Sequence, residues 1–217
     1  KPQSHSAMIL SDTTLSYIET IKGFMDPEEG RALHDMALSV ISDFPNALSV
    51  EIGSYCGKST VYIGEAVRKQ SGFLVSIDHH YGSEENQPGE EYFDPDLADA
   101  ETGGMSSLHI FRQTIRGANL EDFVIPVVAP SRMASQVVAG EIGFLFIDGG
   151  HSMPAAHDDY RLWATRVVTG GILAIHDVFP NPEDGGRPPY EIYKLAMASG
   201  LFEEVKDVKS LRFLRRL

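Results

Sequence analysis

The sequence predicts a doubly wound α/β protein, in which helices cover both faces of a mostly parallel sheet. Short apolar runs alternate along the chain with segments that have helical spacing, and there is no internal repeat. The run over residues 143–147 is apolar throughout, which is typical of a strand buried on both faces. A length of 217 residues suits one such domain. We therefore expect a single domain over residues 1–217.

Two helices come first, and the second has a clear start. Asp26 is expected as its N-cap, with Pro27 in the first turn and Glu29 closing a capping box. Ser59 or Thr60 should cap the helix after the first strand. Seven strands are expected over residues 48–52, 73–77, 123–128, 143–147, 172–175, 202–208 and 211–214, the last two as an antiparallel pair.

A later helix and its end are also predicted. The pattern indicates a helix that starts at Pro154 and buries residues as far as Val167. The pair Gly170-Gly171 should end that helix, so that the fifth strand begins at Ile172.

A long acidic segment interrupts the alternation after the second strand. Residues 84–101 contain eight acidic residues, two prolines and a glycine, without Lys or Arg. Such a connection is usually a functional lid or a disordered insertion, and a charged run is more often a solvated loop than a binding surface. Because the segment leaves the sheet at the edge where a ligand would lie, we predict a lid-like insertion over residues 79–104, hinged at Gly103-Gly104.

The loop after the first strand has the pattern of a ligand-binding loop. It runs from Glu51 to Gly57 with the spacing Glu-x-Gly-x-x-x-Gly, and the glycines, Gly53 included, would let a ligand approach the backbone closely. The second strand ends at Asp78, 21 residues after Gly57. A carboxylate at that position can accept hydrogen bonds from both hydroxyls of a ribose.

Polar residues also end the fourth and fifth strands. Asp148 follows the fourth strand, and His176-Asp177 follows the fifth. We expect both strands to neighbour the first strand, so these side chains should lie at the same sheet edge as Asp78. Two carboxylates that converge there repel each other unless a cation lies between them. With His176 they would form a divalent site of the kind that Mg²⁺ occupies, unless His176 only orients Asp177.

Two segments of the chain resemble sequence segments of known enzyme families. The loop from Glu51 to Gly57, followed by Asp78, resembles the cofactor loop of class I S-adenosylmethionine-dependent methyltransferases. Asp148 to Ser152 resembles a segment of bacterial metal-dependent O-methyltransferases that act on sugars and secondary metabolites. The resemblance covers roughly residues 51–178. It implies a Rossmann-like, three-layer fold with a seven-stranded sheet, a helical cap over residues 1–45, S-adenosylmethionine as methyl donor and Mg²⁺ beside the acceptor hydroxyl.

The resemblance also implies roles for individual residues. Glu51 would lie near the methionine end of the cofactor, Asp78 would hold the ribose and Ser131 would line the adenine pocket. The expected cofactor-binding residues are Glu51, Gly53, Tyr55, Gly57, Ser59, Asp78, His79, Ser131 and Asp148. The expected metal ligands are Asp148, His176 and Asp177, with His176 standing where the family often has a second acid.

A histidine in the loop after the fourth strand is the candidate base. An alcohol is a poor nucleophile until it loses its proton, and a nearby base can accept that proton. His151 lies three residues beyond Asp148, and the ordinary pKa of histidine is close to neutrality. We therefore predict His151 as the catalytic base, against the alternative of a solvent-facing or capping residue.

The composition disfavours some classes of substrate and partner. Eighteen basic and 31 acidic residues give a net charge of −13, which disfavours nucleic acid as a substrate. A single cysteine, Cys56, and the lack of a membrane-length apolar run predict a cytoplasmic protein without a membrane partner. The expected acceptor is a small-molecule hydroxyl, on a sugar first and on a catechol or another phenol second. A homodimer is left open as an assembly.

Three other interpretations compete with this one. A nicotinamide-dependent dehydrogenase is disfavoured because the first glycine of G-x-G-x-x-G is missing. A cofactor-binding domain without activity would leave Asp148 and Asp177 without a role. A metal-free acid–base methyltransferase stays open.

Overall fold

The computed structural model describes residues 9–150 and 152–217. In this part of the chain, seven strands form one sheet: β1 Leu48–Ile52, β2 Leu74–Ile77, β3 Val124–Val127, β4 Ile142–Ile147, β5 Val167–Ile175, β6 Phe202–Val208 and β7 Leu211–Arg216. Their order is β3-β2-β1-β4-β5-β7-β6. Strands β1 to β5 are parallel, whereas β7 is antiparallel to both of its neighbours.

Helices cover both faces of this sheet. They are α1 Asp12–Glu19, α2 Pro27–Asp43, α3 Lys58–Lys69, α4 Leu108–Gly117, α5 Ser131–Ala134, α6 Met153–Trp163 and α7 Pro188–Ala198. Buried residues of α1 to α4 belong to the core on one face, and those of α5 to α7 to the core on the other. The predicted doubly wound, three-layer α/β fold is confirmed. Within the described residues, no helix has the combined length and apolarity that a membrane span requires.

The central strand β4 is apolar throughout because helices cover both of its faces. On β4, Phe144 and Phe146 enter one core, and Leu145 and Ile147 enter the other. Side chains alternate between the faces of a strand, so a central strand that is covered twice must be apolar at every position. The strand order reverses between β1 and β4, and a ligand crevice forms at such a reversal.

The predicted boundary between α6 and β5 is wrong. The helix ends at Trp163, and Val167 already belongs to β5. One β4 residue, Gly143, lies opposite four β5 residues (168–171), because Ile142 pairs with Val167 and Phe144 pairs with Ile172. Gly170 and Gly171 therefore form a bulge within the strand instead of ending the helix. A Cβ on Gly171 would lie 2.8 Å from the Gly143 carbonyl oxygen, so only glycine fits.

Two predicted helix caps also differ from the structure. Gly57 is the N-cap of α3 and has φ +93, while the hydroxyls of Ser59 and Thr60 point to Glu51 instead of the helix amides. Asp26 does cap α2, since its Oδ1 accepts from the Glu28 N–H at 2.8 Å. The Glu29 side chain, however, makes its hydrogen bonds outside the helix, so the capping box does not form.

The acidic segment after β2 has local structure of its own. Residues 79–104 include two short 3₁₀ turns, Glu84–Asn86 and Pro95–Leu97. The segment closes with a β-bridge between Ala98 and Met105. It is therefore held by its own backbone as well as by the contacts described below.

Candidate active site

A cavity of about 740 Å³ lies at the carboxyl ends of the parallel strands. It extends from Ser131, beyond β3, to Phe179 and Pro189, beyond β5. Gly53 and Asp78 line its middle. Its size and its place at the strand reversal are those of a site for a nucleotide-like ligand together with a second small molecule.

Asp78 joins the loop after β1 to the end of β2. Its Oδ2 accepts from the Ser54 N–H at 3.0 Å and from the Tyr55 N–H at 2.8 Å. Its Oδ1 accepts from the His80 N–H at 2.8 Å. Tyr55 has φ +49, a left-handed conformation that the two bonds to Asp78 help to hold. A carboxylate oxygen has two lone pairs, so Asp78 retains acceptor capacity towards the cavity.

Ser54, in the same loop, has an unsatisfied hydroxyl. Its Oγ is buried and has no hydrogen-bond partner among the described residues, and Ser54 lines the cavity. A buried polar group without a partner is destabilising by about 1–3 kcal/mol. The loop beside the cavity therefore contains one buried polar group without a partner among the described residues.

The two glycines of this loop have different reasons to be glycine. Gly53 lines the cavity at φ +87, but an added Cβ would first collide with the carbonyl oxygen of Asp148. Gly57 does not line the cavity, and its Cβ would lie 3.0 Å from Cγ2 of Thr114 on α4. A left-handed φ at both positions, with close packing against backbone at Gly53 and against side chains at Gly57, therefore disfavours other residues more than the need for ligand space does.

Glu51 lies beneath the loop and is completely buried. Its Oε2 accepts from the Thr60 hydroxyl at 2.7 Å and from the Ser76 hydroxyl at 2.9 Å, and its Oε1 accepts from Ser59. Burial raises the pKa of Glu51 to about 7, against the lowering effect of these hydroxyls. Glu51 does not line the cavity, whereas Ser59 does. The predicted place of Glu51 near the methionine end of a cofactor stays a prediction; in the structure its carboxylate is held by three hydroxyls beneath the cavity.

The end of the cavity beyond β3 contains an acid that the sequence analysis missed. Ser131 starts α5, and its hydroxyl donates to the carboxylate of Asp159 on α6. Both residues line the cavity, as does His79, whose Nδ1 accepts from the Tyr81 N–H at 3.0 Å. Burial raises the pKa of Asp159 to about 6. Its position three residues after buried Ala156 was the available signal, since it places Asp159 on the inner face of α6.

Asp148, His176 and Asp177 form a cluster at the other end. Each offers one ligand atom, and these atoms lie within 4.8 Å of one another. His176 Nδ1 is 3.2 Å from Asp148 Oδ1 and 3.5 Å from Asp177 Oδ1. The prediction that β5 neighbours β1 is wrong, because β4 lies between them. The end of β5 still reaches the cavity. Two carboxylate oxygens and one ring nitrogen at this spacing could hold a divalent cation.

Glu29, from the start of α2, completes the surroundings of His176. Its Oε1 lies 3.1 Å from His176 Nε2, and both side chains are buried. Burial alone would lower the pKa of His176, but the carboxylates of Asp148, Glu29 and Asp177 outweigh it and raise the pKa well above the usual value. A cation bound by Nδ1 would take the place of a proton on that nitrogen.

The predicted base, His151, lies outside the described residues. Its neighbours are described: Gly150 lines the cavity, and Ser152 caps α6 through a bond from the Ala155 N–H at 3.4 Å. The role of His151 stays a prediction.

The junction between α1 and α2 meets the acidic segment at the mouth of the cavity. Lys22 Nζ lies 2.7 Å from Asp94 Oδ2 and 2.8 Å from Asp96 Oδ2. The rings of Phe24 and Tyr92 meet edge to face at 6.1 Å. Lys22, Phe24 and Tyr92 line the cavity, and Asp94 and Asp96 both pair with Lys22. We call these five residues the clasp.

Comparison with known proteins adds a family and a fold. A family model described as a methyltransferase domain matches residues 50–178, more than half of the chain. The O-methyltransferase NovP superposes with a TM-score of 0.67 at 16% identity, covering 87% of this chain and 79% of that one. An O-methyltransferase from Bacillus cereus in complex with SAH gives 0.61 at 16% identity, covering 96% and 93%. CalS11, a TDP-rhamnose 3'-O-methyltransferase of calicheamicin biosynthesis, gives 0.63 at 11% identity, covering 98% and 99%.

Proposed function

The chain belongs to the methyltransferase family whose domain model it matches, and from this premise we propose that it transfers a methyl group from S-adenosylmethionine to a hydroxyl of a small molecule. One observation carries the proposal: a single cavity joins the loop held by Asp78 to the cluster of Asp148, His176 and Asp177. The first part suits a cofactor with a ribose, and the second suits activation of a hydroxyl. The SAH-bound Bacillus cereus neighbour supports the choice of cofactor.

The chain offers specific groups to the cofactor. Asp78 would accept from a ribose hydroxyl through the one lone pair, on Oδ1, that its three backbone hydrogen bonds leave free. Ser131 and His79 line the cavity on the far side of Asp78, where the adenine would lie. Glu51 would support the loop from below, since its oxygens hold α3 and β2 together.

The cluster would hold a magnesium ion through Asp148, Asp177 and Nδ1 of His176. Bound there, the ion would supply a Lewis acid that lowers the pKa of the acceptor hydroxyl. His151 would take the hydroxyl proton as the oxygen bonds to the methyl carbon. The carbon–sulfur bond breaks in the same step, and the sulfur leaves as a neutral thioether. No charge is left on the acceptor oxygen, because its proton has moved to His151.

A sugar hydroxyl is the first candidate acceptor. Polar side chains from two loops line the outer part of the cavity, among them Asn86, Glu91 and Asp184. The CalS11 neighbour, a TDP-rhamnose 3'-O-methyltransferase, supports a saccharide. A catechol or another phenol is the second candidate, favoured by the ring of Phe24, which lines the cavity and is 69% exposed.

Methyl transfer from labelled cofactor to a panel of glycosides and phenols tests the proposal. We expect EDTA to abolish transfer and Mg²⁺ to restore it, while SAH still binds. Asp148→Asn should behave like the chelated enzyme. His151→Ala should bind metal and SAH normally but lower turnover by ~10²–10⁴-fold, the usual effect of removing a positioned base.

The control for the histidine is His157→Ala, because His157 is exposed on α6. Full activity in EDTA would exclude the metal. A His151→Ala rate close to that of His157→Ala would exclude His151 as the base, and transfer to no member of either acceptor class would exclude the acceptor assignment.

A further inference from the structure

We propose that Glu29 is a positioning residue for the metal site: it holds the Nε2–H of His176, so that the Nδ1 lone pair faces Asp148 and Asp177. The inference rests on the proposed metal-dependent function and adds to it a carboxylate from outside the catalytic half of the sheet. Glu29 lies in the first turn of α2, whereas the three ligand residues follow β4 and β5.

The hydrogen bonds of Glu29 determine which nitrogen of His176 carries the proton. Oε2 accepts from the Ser210 N–H at 3.0 Å and from the Ser210 hydroxyl at 2.7 Å. Oε1 lies 3.1 Å from His176 Nε2. A carboxylate only accepts, so Nε2 must donate its hydrogen to Oε1. In the neutral ring the lone pair is then on Nδ1, which is the nitrogen that faces both aspartates.

The position of Glu29 is fixed by more than one element. Ser210 belongs to the turn between β6 and β7, and the adjacent Lys209 lies 2.6 Å from Asp26, the N-cap of α2. Glu29 is 3% exposed, so water does not compete for its oxygens. Metal-bound histidines usually donate their second N–H to a carboxylate or carbonyl, which orients the ring and makes the other nitrogen a stronger ligand.

If the pair of Glu29 and His176 were purely structural, a different experimental result would be expected. The pair would link α2, β5 and the β6–β7 turn, and its removal would lower the melting temperature without altering the affinity of the folded protein for a cation. Metal affinity therefore separates the two roles.

The experiment titrates the full chain with Mn²⁺ and follows the free ion by electron paramagnetic resonance. Glu29→Gln keeps the size of the side chain, but its single carbonyl oxygen cannot serve both Ser210 and His176. We expect Mn²⁺ affinity to fall by ~10–100-fold, the usual effect of losing such a partner, with SAH affinity unchanged. Glu28→Gln is the matched control, because the neighbouring Glu28 side chain is 68% exposed and should leave Mn²⁺ affinity unchanged.

A second measurement does not depend on the folding of Glu29→Gln. Nitrogen-15 spectra of the histidine rings of the wild type, assigned with His176→Gln, should show the proton on Nε2 and a shift of Nδ1 when Mg²⁺ is added. A proton confined to Nδ1, or equal Mn²⁺ affinity in Glu29→Gln and Glu28→Gln, would overturn the role of Glu29. If the wild type bound no Mn²⁺ at all, the proposed metal site itself would fall, and this inference with it.

Discussion

Glu51 is a carboxylate that the fold isolates from water. It is completely buried, and three hydroxyls are its only described hydrogen-bond partners. Three neutral donors do not compensate fully for the loss of hydration of a charge. The protein therefore carries an acid that ionises reluctantly directly below the loop that would hold the cofactor.

This burial predicts a pH-dependent stability. The folded-state pKa of Glu51 is raised from 4.5 to about 7, so between these values the native state binds more protons than the unfolded state. Stability then falls as the pH rises through this window, by about 3 kcal/mol for a shift of this size. Urea unfolding should show that the stability of the wild type relative to Glu51→Gln decreases by about this amount between pH 4.5 and pH 8.

Glu141→Gln is the control, because Glu141 is exposed on the protein surface. Its stability relative to the wild type should not follow this pH dependence. A flat difference between the wild type and Glu51→Gln would show that the Glu51 carboxyl titrates at its ordinary pKa.

The sequence predicted the positions of residues that directly follow strands. Asp78, Asp148, His176 and Asp177 all line the predicted edge, because the carboxyl ends of parallel strands meet there whatever the helices do. The direction of a side chain was not predictable in the same way. The partners of Glu29 are more than a hundred residues away, so its local pattern indicated only a capping box.

At the scale of elements, the clasp connects the N-terminal helices to the acidic segment. Among the described residues, Lys22 is the one cation that pairs with Asp94 and Asp96, and the pairs are partly exposed. Exposed ion pairs contribute about 0–1 kcal/mol to stability, so the clasp adds little to the fold. The clasp lies beside the cavity, where the predicted lid over residues 79–104 would close, and the lid stays a prediction.

We expect Lys22→Met to affect the acceptor more than the fold. Loss of the ion pairs should raise the acceptor KM several-fold and speed proteolysis within residues 79–104, while the melting temperature changes by about 4 °C or less, which corresponds to at most about 1 kcal/mol. Steady-state kinetics, limited proteolysis and thermal unfolding provide the three readouts. Lys206→Met, on the exposed side of β6, should leave all three unchanged. A large loss of melting temperature with normal kinetics would instead make the clasp structural.

Element types were predictable from sequence, and some boundaries were not. The periodicity and the glycine turns identify all seven strands, including the last antiparallel pair. The start of β5 was misplaced because Gly170-Gly171 is a common helix stop, and only the pairing with β4 reveals a bulge. A bulge depends on the neighbouring strand, which a local pattern does not contain.

The whole molecule is organised around one cavity that both halves of the sheet share. Residues after β1 and β2 line one part, and residues after β4 and β5 line the other. A ligand that bridges them would stabilise the whole fold, because it binds the native state and not the unfolded chain. The cytoplasmic location and the homodimer stay predictions from the sequence.

Thermal unfolding with added ligand tests whether a ligand in the cavity stabilises the whole fold. SAH at about 100 times its dissociation constant should stabilise the protein by about 2.7 kcal/mol. For a chain of this size, that raises the melting temperature by roughly 5–11 °C. NAD should produce no rise, and Asp78→Ala should weaken SAH binding by ~1.5–3 kcal/mol through lost hydrogen bonds to a charged group. A rise with NAD and none with SAH would favour the dehydrogenase.

The bond between Glu29 and Ser210 has a consequence for synthesis. The two residues are 181 positions apart, and at 5–20 residues per second the ribosome needs roughly 10–40 s to add the second after the first. During that time a nascent chain can build α2 and the parallel strands, but Glu29 lacks the turn that occupies its Oε2. The set of contacts that would orient His176 is therefore complete only after the β6–β7 hairpin has been synthesised and has docked. A nascent chain that has not yet reached Ser210 would lack one of the contacts on which the proposed metal site depends.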